Sequence, residues 1–321
     1  MKLGVLIVPE KRWPENSRRW AMAEELGFDS AWTYDHIWWR SMRDNAWFSS
    51  IPLVAAAASI TTRVSVGIMV TSPNFRHPVL VAKDAIAIDD ISGGRFVLGI
   101  GAGAAKAGDA EVLGGEPLSG PDRFARFQEF VELTERLLRE PNTTFDGRFY
   151  SARDARMIPG CTRKPRLPLA IAACGRKSLA LAARYGDAWV TPGPADWLGD
   201  YTLDECVETV AAQLDGLKRA CERNGRDVDE LDRILITTGM CGNPVESPDK
   251  CLEIAERFAA VGMTHLVIHW PRENGVYAGD PRALEEIAAS ALPQIRALPT
   301  GTIPEPALSH QSTVSVASSA E

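Results

Sequence analysis

The stretch Gly93-Gly94-Arg95-Phe96-Val97-Leu98-Gly99-Ile100-Gly101 closes a helical pattern at glycine, runs through a short apolar segment and stops in small residues. The same order returns at Leu26-Gly27-Phe28-Asp29-Ser30-Ala31-Trp32-Thr33-Tyr34, at Tyr185-Gly186-Asp187-Ala188-Trp189-Val190-Thr191 and at Val261-Gly262-Met263-Thr264-His265-Leu266-Val267-Ile268-His269. A fifth copy, Ile60 to Val70, uses Thr61-Thr62-Arg63 as its joint. Glycine past a helix end accepts the left-handed conformation that stops the helix, and a continuous apolar run of four to eight residues is how a strand buried on both faces reads.

Working outward from these copies, the pattern predicts strands near 3–8, 30–35, 64–70, 95–101, 168–173, 187–192, 233–239 and 265–270. Helices are predicted near 15–26, 48–60, 77–92, 122–139, 176–185, 204–224, 248–261 and 281–297. Strict alternation forces parallel pairing through right-handed crossovers, and eight such units in about 300 residues fit a closed barrel better than an open sheet. The expected fold is therefore an α/β chain, a (β/α)8 TIM barrel over residues 1–299. Residues 140–167, rich in Arg, Pro and Gly, form an insertion before strand 5, and the Ser/Thr/Pro/Ala-rich tail 300–321 is expected to be disordered.

With 42 acidic and 35 basic residues in 321, the chain carries a net charge of −7, which gives no general footprint for nucleic acid or an anionic membrane. Six cysteines without a CxxC pair point to reduced thiols and a cytoplasmic protein rather than a disulfide framework. The apolar run Leu3 to Val8 ends at Pro9, too short for a secretion signal or a membrane helix.

In such a barrel the chemistry sits in the loops at the carboxyl ends of the strands. Trp13, Trp38, Trp39, Trp47, Trp197 and Trp270, six of the nine tryptophans, fall at that end, either capping the core or lining a pocket for a flat ligand. His36, beside Asp35 at the second strand's exit, is the candidate catalytic histidine. His77 reads as structural, and His265 with His269 lack a third ligand, so no metal is expected. Two exits are built of small residues: Gly99 to Gly103, and Ala172-Ala173-Cys174-Gly175-Arg176-Lys177-Ser178. The second opens a helix with cations suited to a phosphate.

Asp35-His36, Val70-Thr71-Ser72-Pro73-Asn74-Phe75-Arg76-His77-Pro78, Gly93 to Gly103 and Ala183-Arg184-Tyr185-Gly186-Asp187-Ala188-Trp189 together resemble the luciferase-like flavin- and F420-dependent oxidoreductases. The resemblance implies coenzyme F420, or alternatively FMN, at the barrel mouth, with Asp35 and His36 catalytic and Asp35 also touching the cofactor. It implies a ring support at Met69, Val70, Thr71 and Ser72 with a cis Met69–Val70 bond, and contacts from Gly101, Ala102, Gly103, Ala172, Ala173, Cys174 and Gly175. Arg176 and Lys177 are added on electrostatic grounds.

The sugar-phosphate dehydrogenase branch carries a glutamate where this chain has Ala104, and a tryptophan where it has Arg40. The missing carboxylate points away from alcohol oxidation and toward an F420-dependent reductase of a C=C or C=N bond in a small organic or biosynthetic substrate. An FMN-dependent monooxygenase is the alternative, and a barrel that binds flavin without catalysis the third reading. The expected partners are a small-molecule substrate, a second copy in a homodimer, and a separate flavin or F420 reductase system as electron source.

Overall fold

The computed structural model describes residues 1–103, 108–116, 118–196 and 199–300, with the backbone alone at Arg40 and Met240. Ala104, Trp197, the tail from 301 onward and the Arg40 side chain lie outside the described residues.

Eight parallel strands close into a barrel: β1 (Lys2–Leu6), β2 (Ser30–Thr33), β3 (Ser65–Thr71), β4 (Phe96–Ile100), β7 (Leu169–Ala172), β8 (Ala188–Thr191), β9 (Asp232–Ile236) and β10 (His265–His269). The principal helices between and after them are α1 (Trp13–Glu25), α2 (Ser50–Ile60), α3 (Pro78–Ile91), α5 (Gly120–Arg139), α6 (Arg176–Tyr185), α7 (Leu203–Arg223) and α8 (Pro248–Ala260). The last crossover layer is α9 (Arg282–Glu286), a π-helical turn Ile287–Ala291, and α10 (Leu292–Ala297). Each predicted strand and helix is present within a few residues. Trp13, expected in a loop, instead opens α1, because Pro14 supplies the pre-set φ of a first helical turn.

The chain holds two apolar layers. Leu3, Val5, Val66, Ile68, Leu98, Trp189, Leu266 and Ile268 face outward onto the helices, while Leu6, Trp32, Met69, Ala170, Val190, Ile234 and Val267 fill the barrel. The alternation is the strand's two-residue period, with both faces buried. Trp32 occupies the interior because its neighbours are glycines: a Cβ on Gly67 would lie 2.3 Å from its ring, and one on Gly4 3.3 Å from its indole nitrogen.

The insertion 140–167 contains an antiparallel hairpin, β5 (Asn142–Asp146) and β6 (Ser151–Arg156), outside the barrel. It is anchored through Glu129 on α5, whose carboxylate accepts from the backbone N–H groups of Arg148, Phe149 and Tyr150. Arg166, almost fully buried, ties the far end of the insertion to Glu135 and Asp187 and to the carbonyls of Leu167 and Tyr185. A short helix absent from the sequence reading, α4 (Asp109–Val112), follows β4. No described helix is long and apolar enough to cross a membrane.

Candidate functional site

The exits of β3, β4 and β7 meet over a floor nearly free of side chains. The peptide between Met69 and Val70 is cis, and the register of β3 against β4 shifts between Ile68 and Thr71, so the strand bulges at this point. Gly99 lets β4 pass the bulge, since a Cβ there would lie 2.1 Å from the Ile68 carbonyl oxygen. A Cβ on Gly101 would lie 2.5 Å from Val70 Cγ2 and 3.6 Å from Ala172 Cβ, which shows how closely the three exits converge. Gly103 has φ +74°, and a Cβ would strike Asn74, whose Oδ1 accepts from Arg126 at 2.5 Å.

Val70, Gly101 and Ala172, three of the sequence-derived cofactor residues, therefore lie side by side. Thr71 and Ser72 are buried, Ala102, Ala172 and Cys174 half-buried, and Gly175, Arg176 and Lys177 exposed at the start of α6. Ala173 uses its carbonyl to hold the Trp189 indole at 2.7 Å. Two polar atoms in this neighbourhood, Thr71 Oγ1 and Arg126 Nε, are buried without a hydrogen-bond partner among the described residues. Buried polar atoms are nearly always paired, so a glycine-lined floor edged by two unpaired ones fits a planar ring with polar edges and an anionic tail.

Asp35 and His36 follow β2 and diverge. Asp35 is buried, and its Oδ1 accepts from Ser50 at 2.5 Å and from Arg76 Nη2 at 2.7 Å, while Oδ2 accepts from Arg76 Nε at 3.1 Å. This fork anchors the loop after β3 to the loop after β2. Burial works against the Arg76 charge, yet the carboxylate holds the guanidinium above its ordinary range.

His36 turns the other way and meets a carboxylate that the sequence reading missed. Its Nδ1 donates to Asp109 Oδ2 at 2.7 Å, and Ile37 N–H donates to Oδ1 of the same fully buried side chain at 2.8 Å. Because a carboxylate only accepts, Nδ1 carries the proton of this bond, and in the neutral ring the lone pair lies on Nε2. The Trp47 indole donates to the His36 carbonyl at 2.7 Å, and the Trp39 ring packs 4.6 Å from the imidazole.

Position 104 is alanine, yet a carboxylate reaches His36 Nδ1 from elsewhere in the same loop. It comes from the fifth residue after Ala104, carried by α4. Gly108 allows the placement: with φ +83° it turns the chain into α4, and a Cβ there would lie 1.9 Å from the Trp38 ring. The only signal in the sequence was an acidic residue directly after a glycine beyond β4, too common to single out.

The aromatic series continues around the mouth. Trp39 stacks on Tyr34 at 5.1 Å and 13°, Tyr34 Oη lies 2.7 Å from His269 Nε2, and the His269 ring stacks on Tyr277 at 3.5 Å and 8°. Besides Trp197, outside the described residues, Trp13 and Trp270 stand apart from this series, Trp270 buried under Arg19. His77 caps α3, accepting from Val79 N–H. His265 and His269 cannot share an ion, because four strand residues separate them by about 13 Å. His265 bonds Thr264 and faces Asp232 at the opposite end of the barrel.

The chain matches the model of the luciferase-like monooxygenase family over residues 1–291. It is 31% identical to the F420-dependent glucose-6-phosphate dehydrogenase of Beutenbergia cavernae, across 92% of this chain and 98% of that protein. To the enzyme of that name from Amycolatopsis mediterranei it is 27% identical, across 93% and 99%. The solved structure of an F420-dependent secondary alcohol dehydrogenase with an F420–acetone adduct superposes with a TM-score of 0.76 at 19% identity, covering 92% of this chain and 99% of that one. At that identity the likeness is one of fold.

Proposed function

Because this chain belongs to the luciferase-like monooxygenase family, we propose that it is an F420-dependent oxidoreductase that interconverts a C–OH and a C=O group, with His36 moving the proton. The observation that carries this reading is the Nδ1–Asp109 hydrogen bond of 2.7 Å, which in the neutral ring leaves Nε2 as the acceptor. F420, when bound, supplies the carbon that accepts or gives a hydride. In the oxidising direction His36 Nε2 takes the hydroxyl proton, and in the reducing direction it returns it. Asp109 holds the ring in the required tautomer and stabilises the imidazolium, as a buried carboxylate does for a general base. Asp35 is a positioning residue, since both of its oxygens are engaged by Arg76 and Ser50.

The C=C or C=N acceptor rests on alanine at position 104, where the sugar-phosphate dehydrogenases carry a glutamate, and stays the alternative; the carboxylate that Asp109 offers to His36 Nδ1 supports the alcohol–carbonyl pair. The ring of F420 would lie over Met69–Thr71 and Gly101, with its phosphate toward Arg176 and Lys177. Support for F420 over FMN comes from the curated relatives at 27–31% identity, which are named for F420. A homodimer and an F420 reductase system as electron source belong to the same proposal.

Titrating the purified protein with F420 and with FMN, following fluorescence, tests the cofactor. Tight F420 binding is expected. FMN binding with oxygen consumption, and no F420 binding, would establish the monooxygenase reading instead. His36→Ala should keep F420 affinity and lose turnover.

A further inference from the structure

A cleft of about 330 Å³ opens at the mouth where the loops after β9 and β10 face each other, and Thr237, Thr238, Val245, His269, Val276 and Tyr277 contribute to its walls. Tyr34 links it to the proposed proton-transfer group: its ring lies 6.3 Å from that of His36, and its hydroxyl contacts His269 in the cleft wall. Resting on the reading of the preceding subsection, we infer that the substrate is an uncharged alcohol or carbonyl compound with an apolar body, bound in this cleft through Thr238, and that phosphorylated sugars are excluded.

Three observations carry the inference. Among the described residues, the lining includes no Lys, Arg, Asp or Glu. The guanidinium nearest along the chain, Arg272, is buried and spent on Glu10 and on the carbonyls of Asn274 and Val276. A phosphate dianion entering here would give up its hydration with no countercharge, at a cost of several kcal/mol.

His269 cannot provide that countercharge. Its ring bonds the Thr237 backbone on one side and meets the Tyr34 hydroxyl at 2.7 Å on the other, so both nitrogens are occupied. Full burial brings its pKa down to about 3, which keeps the ring neutral near pH 7.

The third observation is Thr238 itself. It is 6% exposed, it lines the cleft, and its Oγ1 is buried without a hydrogen-bond partner among the described residues. Such an atom is satisfied by one neutral hydroxyl or carbonyl, while Val245, Val276, Pro244 and Ala278 offer apolar wall beside the uncharged Asn243.

The test uses the full chain saturated with F420, confirmed by fluorescence, and measures binding by calorimetry. One arm is glucose 6-phosphate; the other is a panel of neutral secondary alcohols and ketones such as cyclohexanol and cyclohexanone at millimolar concentration. Binding of panel members and none of glucose 6-phosphate is expected. Thr238→Val should weaken the neutral ligands about tenfold while leaving F420 affinity and the melting temperature in place. Val276→Lys, on a partly exposed wall residue, should create measurable glucose 6-phosphate affinity where there was none. Saturable glucose 6-phosphate binding by the unmodified protein, no binding by the whole neutral panel, or an unchanged affinity in Thr238→Val would each overturn the inference. None of these touches the cofactor reading, which fails separately if F420 does not bind.

Discussion

Asp109 is where one side chain changes the chemistry of the site. Replacing it with Asn keeps the volume but offers Nδ1 a group that can donate, so the imidazole is free to adopt the wrong tautomer. Asp109→Asn should lower kcat by on the order of 100-fold or more with little change in F420 affinity, and stopped-flow reduction of F420 checks both. Arg76 and Asp35 form the other decisive pair. Arg76→Ala would strand a buried carboxylate and should destabilise the fold by about 3 kcal/mol, read from urea unfolding. His36 was legible because it stands alone at a strand exit. Asp109 was not, because its partner is 73 residues away in the chain and only the closed barrel brings them together.

At the scale of elements, the barrel strands were legible because each is buried on two faces and reads as an apolar run. The hairpin β5–β6 was not: Asn142-Thr143-Thr144 and Ser151 to Asp154 leave many side chains in solvent, so no apolar run marks them. α4 spans four residues, less than the length over which helical periodicity can be read. The glycines at the strand exits give a test of the floor. Gly101→Ala places a methyl 2.5 Å from Val70 and should weaken F420 binding at least tenfold while the far-ultraviolet spectrum is kept, measured by fluorescence titration. Gly108→Ala collides with Trp38 at φ +83° and displaces the helix carrying Asp109. It should reproduce the turnover loss of Asp109→Asn, although the carboxylate is still present.

For the whole molecule, burial sets the response to acid. His77, His265 and His269 are all held below the ordinary value of 6.5 by burial, His265 at about 4 and His269 at about 3. The unfolded chain takes up these protons as pH falls through 6.5, whereas the folded chain does so only at lower pH. The stability they contribute is therefore complete above 6.5 and is lost on acidification. Each such histidine costs up to about 1.4 kcal/mol per pH unit below that point. Urea midpoints should be flat between about pH 7 and 8 and fall steadily toward about pH 5, and a flat profile across that lower range would contradict the burial of these rings.

The order of apolar runs, glycine stops and amphipathic helices was enough to specify eight βα units and the end of the barrel where chemistry belongs, because those signals are local and repeat with the period of each element. Chain order also marked His36 and the small residues at the exits of β4 and β7. The partner of His36, the diversion of Asp35 to Arg76, and a substrate cleft without a cation among its described walls were decided only in three dimensions. Each depends on side chains distant in sequence, and their juxtaposition follows from closure of the barrel rather than from any local pattern.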